Sequence, residues 1–228
     1  MTSPARLHAP SGQRALFLTT AALPLAGWTI HVMALHRRAS RDKLTGALRR
    51  ESFEPQIQRF IDRHRDQALV LVCDVDDFKQ FNDRYGHAVG DLVLATTGAR
   101  IKAWAGSRGV VGRLGGEGGD EFIVAARVDP GRRTARLDQL NRALRQPVST
   151  DDGRTVPVAV SIGAATPDVM GTRDRSKLMR AADVAMYDGK RERRGVAVEA
   201  TLKHANAESV NGRHAGRVGT VYPVVRAV

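Results

Sequence analysis

Gly118-Gly119-Asp120-Glu121-Phe122 lies between two short apolar runs, Val110-Val111 and Phe122-Ile123-Val124-Ala125-Ala126. Two strands joined by a glycine-rich turn, with a carboxylate pair at its exit, make a corner suited to phosphate and metal. Glycine lets the backbone approach a phosphate closely, and adjacent acids hold a divalent cation. A glycine hairpin alone would carry little weight. A second acidic cluster, Asp74-Val75-Asp76-Asp77, closes the apolar run from Ala68 to Cys73. Two acidic strand ends in one small α/β domain suggest a nucleotide–Mg²⁺ site.

Working outward, the expected elements alternate. A helix is predicted over 47–65, a strand over 68–74, a short helical turn around Phe78–Tyr85 and a helix over 88–105. A hairpin follows over 109–128 with its turn at 115–120, then a helix over 132–145 and a strand over 156–165. A helix over 174–193 and a last strand over 196–201 complete the pattern. The expected fold is α+β, with a ferredoxin-like βαββαβ core, an extra helix and extra strands. In that topology the first strand pairs with the second strand of the hairpin, which brings Asp74 beside Asp120 and Glu121.

Residues 15–35 carry no Lys, Arg, Asp or Glu and are about long enough to cross a bilayer. Arg37, Arg38, Arg41 and Lys43 follow them, against Arg6 and Arg14 before. That bias predicts an N-terminal hydrophobic transmembrane helix, a single-pass cell-membrane location and a cytoplasmic downstream domain. The expected organisation is an N-terminal segment 1–14, the membrane helix 15–35, a linker 36–41, the catalytic-type domain 42–202 and a polar, basic tail 203–228.

The chain of 228 residues is 42% hydrophobic and 26% charged, a globular composition. Cys73 is the only cysteine, which excludes a disulfide framework and a cysteine-based zinc site. Its apolar surroundings mark it as core. The net charge of +12 points to a juxtamembrane positive patch or an anionic partner. The arginines are scattered and few aromatics interleave with them, so nucleic acid is the less favoured partner.

Four blocks in order resemble the GGDEF-domain family of diguanylate cyclases. They are Asp42-Lys43-Leu44-Thr45-Gly46-Ala47-Leu48-Arg49-Arg50-Glu51-Ser52-Phe53, the run from Asp74 to Asp91, the Gly-Gly-Asp-Glu-Phe turn, and Ser161-Ile162-Gly163 with Ala182-Asp183-Val184-Ala185-Met186-Tyr187-Asp188-Gly189-Lys190 and Arg194. The resemblance covers about 42–198. It implies a nucleotide-cyclase or palm-like fold that condenses two GTP into cyclic di-GMP with release of pyrophosphate. It also implies Mg²⁺ or Mn²⁺ as cofactor and a transient homodimer that brings two GTP together.

Carried over by resemblance, Asp74, the Val75 carbonyl and Asp120 are metal ligands. Asp120 and Glu121 form the catalytic acidic corner, and Glu121 helps deprotonate the ribose hydroxyl. Asn82 and Asp91 match the pair that reads guanine. Phe78 and Lys79 match the loop around the β- and γ-phosphates, and Gly118 and Gly119 the glycine turn. Lys190 and Arg194 lie four apart on one helix face and reach the terminal phosphates; read alone, they would be a solvated basic helix end. Asp76 and Asp77 are read as loop-solvating or helix-capping groups.

Two departures stand out. Arg113 to Phe122 spans ten residues where the family's Arg-x-Gly-Gly-Asp-Glu-Phe spans seven. Counting from Asp91 puts Glu117 in the motif's first acidic position; counting back from Phe122 puts Asp120 and Glu121 there. The second register is expected, because a slip would turn every side chain of the following strand to the wrong face. The lengthened turn also admits an alternative, a catalytically degenerate module that binds GTP or cyclic di-GMP as a sensor. The second departure is in Gly106-Ser107-Arg108-Gly109, which lacks the family's inhibitory Arg-x-x-Asp pattern, so no such inhibitory site is expected.

Overall fold

The computed structural model describes residues 40–107, 109–114 and 119–205. The first helix, α1 (Arg50–His64), buries Phe53, Ile57, Phe60 and Ile61, an apolar stripe at helical spacing. It delivers the chain to β1 (Ala68–Val75), in which every residue is buried. An unbroken apolar run of this kind suits a central strand covered on both faces. Next come α2 (Phe78–Tyr85) and α3 (His87–Ala105), split by Gly86 at φ 85°, a conformation that favours glycine. The hairpin β2 (Val110–Leu114) and β3 (Glu121–Arg127) leads to α4 (Arg133–Leu144). A small separate hairpin, β4 (Val148–Ser149) and β5 (Thr155–Val156), precedes β6 (Val160–Ala165). The turn α5 (Pro167–Met170), the long α6 (Arg175–Glu192), β7 (Ala197–Glu199) and α7 (Leu202–Ala205) follow.

The main sheet has the order β2-β3-β1-β6-β7. β1 runs antiparallel to both β3 and β6, and β7 joins β6 in parallel. β1, β2, β3 and β6 therefore form the expected ferredoxin-like core, with β7 added at the edge. Alternate residues of β1 serve opposite faces, as the two-residue period requires. Leu69, Leu71 and Cys73 meet Val93, Leu94 and Ile101 of α3 and Leu137, Leu140 and Leu144 of α4. Ala68, Val70 and Val72 meet the α1 stripe and Leu178, Ala182, Ala185 and Met186 of α6. Side chains such as Phe53 and Leu140 are fully enclosed, and truncating one to alanine costs about 2–5 kcal/mol.

Gly163 lets α6 sit against β6. A Cβ there would stand 1.8 Å from the Ala182 carbonyl oxygen and 2.5 Å from the Met186 nitrogen. Asp174 caps α6 by accepting from the Lys177 backbone N–H at 2.9 Å.

The strand expected over 156–165 is in fact two, β5 and β6, separated by residues 157–159. Pro157 cannot donate to a ladder, which ends β5. The β4–β5 hairpin was not anticipated; it closes over Gly153 at φ 81° with the Thr150 N–H donating to the Arg154 carbonyl at 2.8 Å. The hydrophobic stretch 15–35 and the tail from 206 lie outside the described residues. Among the described residues no helix is long and apolar enough to cross a membrane.

Candidate active site

The register of β1 sets the corner. Asp74 stands opposite Glu121 on β3 and opposite Ser161 on β6. The Val75 N–H donates to the Asp120 carbonyl at 3.2 Å, which fixes Asp120 against the end of β1. Phe122 pairs with Cys73 and is fully buried, and Leu114 pairs with Glu121. The strand thus starts at Glu121, and Asp120 and Glu121 adjoin Asp74. Gly118 and Glu117, the acid of the other register, lie outside the described residues. Gly119 is held by its carbonyl, which accepts from Arg113 Nε at 2.8 Å.

Asp74 is 2% exposed. Burial pushes its carboxyl above the usual range; Asp120 and Asp76 push the same way, and Lys190 opposes them without prevailing. Lys190, on the last turn of α6, puts its ammonium against Asp74 and lies 3.2 Å from Asp76 Oδ1. Burial alone would lower the Lys190 pKa, but Asp74 and then Asp76 outweigh it and raise it.

Asp76 departs from its expected role. It is 8% exposed and neither solvates a loop nor caps a helix. Its carboxylate accepts from Ser161 Oγ at 2.9 Å and from the Gly195 N–H at 2.8 Å. Asp77 holds the N-cap position of α2 in the left-handed region at φ 55°, makes no side-chain capping bond, and pairs with Arg194.

The Phe78 side chain belongs to the core at 5% exposure, which leaves its backbone to face the loop at the start of α2. Lys79 is exposed beside it. Asn82 on α2 and Asp91 on α3 come from neighbouring helices, with Asp91 exposed. Asn82 Oδ1 is buried with no hydrogen-bond partner. It lies over Gly90, where a Cβ would come within 1.8 Å of it. A cleft of about 290 Å³ opens beside the corner, between Val75, Asp76, Asp77, Phe81, Val158 and Arg194.

Among the described residues no three His, Cys, Asp or Glu side chains gather as a metal cage. Mg²⁺ rarely uses one; it takes one or two carboxylates, keeps waters and shares substrate phosphates. A buried Asp74 next to Asp120, with an ammonium already drawn into the corner, is a hard-oxygen environment that attracts a cation. The donors fit Mg²⁺ or Mn²⁺ arriving with a triphosphate.

Sequence reasoning missed Gly90, Arg113 and Asp42 as supports of the site, and misread Asp76. Asp76 left a local signal: it is two residues from Asp74, the spacing that puts two side chains on one face.

Comparison with known proteins identifies the family and the fold. Residues 39–195 match the model of the diguanylate cyclase GGDEF domain. The chain belongs to the GGDEF family. It is 42% identical over 178 residues to an uncharacterised 19.3 kDa protein of Streptomyces ambofaciens, covering 76% of this chain and 92% of that one. It is 37% identical over 168 residues to the diguanylate cyclase TpbB of Pseudomonas aeruginosa, covering 71% of this chain but only 38% of that protein. The solved GGDEF domain of TpbB superposes with a TM-score of 0.64 at 36% identity, covering 72% of this chain and 96% of that domain. The fold is also that of the coiled-coil and GGDEF region of DgcB from Caulobacter crescentus, solved in complex with c-di-GMP, at a TM-score of 0.67 and 24% identity, over 82% of this chain and 98% of that one.

Proposed function

We propose that this chain condenses two GTP molecules into cyclic di-GMP, releasing two pyrophosphates, in a transient homodimer. The observation that carries the reading is the Asp74–Glu121 register, which sets Asp74, Asp120 and Glu121 at one corner of a GGDEF-family sheet. Each domain presents one GTP. The 3′-oxygen of one attacks the α-phosphorus of the other, an O–P bond forms, and the bond to the β-phosphate oxygen breaks.

Asp74, the Val75 carbonyl and Asp120 would hold Mg²⁺ or Mn²⁺, which when bound neutralises phosphate charge and favours ionisation of the attacking hydroxyl. Glu121 stands by to accept the hydroxyl proton. Lys190 and Arg194, with Lys79 and the first backbone N–H groups of α2, take the β- and γ-phosphate charge, as helix starts do. The Asp91 carboxylate accepts from guanine N1–H and the exocyclic amine, and Asn82 supports the same base. Adenine offers no matching pair of donors. Positioning and charge neutralisation then lower most of the barrier.

The test is product analysis by mass spectrometry after incubation with GTP and Mg²⁺, over a range of protein concentrations. Cyclic di-GMP and pyrophosphate are expected, with a rate per chain that rises with concentration, and ATP should give no cyclic dinucleotide. Hydrolysis to GDP alone, or no turnover at any concentration, would contradict the reading.

A further inference from the structure

Asp76 has a carboxylate that none of these roles uses, and its side chain is as enclosed as that of Asp74. Its side chain is 2% exposed. Ser161 Oγ donates to it, within 2.9 Å of both oxygens, and the Gly195 N–H donates to Oδ2 at 2.8 Å. The Asp76 N–H donates to the Ala159 carbonyl at 2.9 Å, so the backbone is fixed as well. Ser161 is fully buried on β6, and Gly195 sits in the turn after α6 at φ 68°. Three segments distant in sequence therefore converge on one acid.

Two neutral donors need only a neutral acceptor. Burying an ionised carboxylate is costly unless a cation accompanies it. That cation is Lys190, whose ammonium lies 3.2 Å from Asp76 Oδ1 and also touches Asp74. Of the other charges nearby, Arg194 pairs with Asp77, and Asp120 lies close enough to Asp74 for its charge to act on it. An ammonium has three donors and can serve two carboxylates and a third acceptor together. If Asp74 turns to a metal ion, Lys190 loses one of its two anchors, and Asp76 is the one that remains.

We infer that Asp76 is a positioning residue for Lys190: locked by Ser161 and Gly195, it keeps the ammonium at the corner when a cation occupies Asp74, aimed at the nucleotide phosphates. The inference rests on the reading of Lys190 as a phosphate contact. It assigns Asp76 neither metal nor substrate. Lys190 and Asp76 then act as one unit, and Ser161 and Gly195 set its direction.

The test is a double-mutant cycle on the full chain, with Mg²⁺ and α,β-methylene GTP, which cannot release pyrophosphate, titrated by calorimetry. Asp76→Asn keeps an acceptor for Ser161 and Gly195 and removes the charge. It should weaken binding by roughly tenfold in the wild-type background and by no more than about twofold in a Lys190→Met background. Equal losses in both backgrounds would show that Asp76 acts through the fold alone and would overturn the inference, as would no loss in either. Should Asp76→Asn fail to fold, Ser161→Ala leaves the charge but frees its direction, and should show a smaller loss that Lys190→Met again erases; a loss that persists would overturn it.

A second readout needs no nucleotide. In an Asp74→Asn background, which removes the charge of the other anchor, acylation of Lys190 by a water-soluble succinimidyl ester, followed by peptide mass, should become several-fold faster when Asp76→Asn is added, while the thermal midpoint stays near that of Asp74→Asn. Unchanged labelling would overturn the tether. A wild-type chain that binds no guanine nucleotide would sink the proposed activity and leave the tether to be decided by the labelling.

Discussion

Arg113 and Asp42 meet at 2.9 Å across 71 positions of sequence. The same guanidinium donates from Nε to the Gly119 carbonyl at 2.8 Å, immediately before Asp120. Asp42 is itself held by the Thr45 backbone N–H at 2.8 Å and the Thr45 hydroxyl at 2.6 Å. The first block of the domain thus grips the exit of the glycine turn. The planar fork of arginine reaches both partners at once, and lysine cannot reproduce that geometry. Arg113→Met should cost about 2–4 kcal/mol in urea unfolding, since the arginine side chain is only 5% exposed. Arg113→Lys should recover only part of that loss. Wild-type stability in either variant would show that the bridge carries no weight.

The same bridge predicts a pH dependence. Burial pushes the Asp42 carboxyl up, but the Thr45 and Arg113 hydrogen bonds more than offset it and leave its pKa lowered. A folded-state pKa below the unfolded value, about 3.9, gives stability that is full above the unfolded value and lost as pH falls through the folded one. Asp42→Asn lacks that titration. The stability gap between wild type and Asp42→Asn should therefore be widest near neutral pH and shrink below about pH 4. Unfolding curves taken as a function of pH check this, and a gap that stays constant into acid would refute it.

Asp74 carries the opposite sign. Its folded-state pKa is raised, chiefly by burial, so ionised Asp74 works against the fold once pH is above that raised value. Asp74→Asn removes the buried charge. In the absence of metal its thermal midpoint at pH 8 should equal or exceed that of wild type, while cyclic di-GMP formation is lost. Sites that set function against stability behave this way. A strongly lowered midpoint would mean that the Lys190 pairing outweighs the burial cost.

Gly90 separates affinity from stability in another way. It lies inside α3, where alanine is the better helix former by about 1 kcal/mol. A Cβ there would stand 1.8 Å from Asn82 Oδ1 and 3.3 Å from the Phe78 ring. Gly90→Ala should hold or gain stability and weaken GTP binding by about tenfold, because Asn82 must swing away. Unchanged GTP affinity would remove Asn82 from the base-reading site.

Much of this was legible because the decisive elements announce themselves locally. The apolar run Ala68–Cys73, the hairpin flanking Asp120 and the long periodic helices α3 and α6 each have one strong reading. The topology then requires Asp74 to face Glu121. What was not legible depended on partners far along the chain. Asp76 looks like a loop acid until Ser161 and Gly195, 85 and 119 positions away, close around it. The Phe78 ring belongs to the core while its backbone opens α2, a division of one residue between two tasks that the sequence does not display. Pro157 could have warned that the strand over 156–165 is broken, but an apolar residue on each side masked the break.

On the proposed reading Asp120, and not Glu117, completes the corner with Asp74. The most direct measurement is the initial rate of cyclic di-GMP formation from GTP and Mg²⁺ in Asp120→Ala and Glu117→Ala, side by side. Loss of activity by about a hundredfold or more in Asp120→Ala, with Glu117→Ala within a few-fold of wild type, is the expected result. Activity that survives in Asp120→Ala and disappears in Glu117→Ala would contradict it and move the catalytic register three residues back.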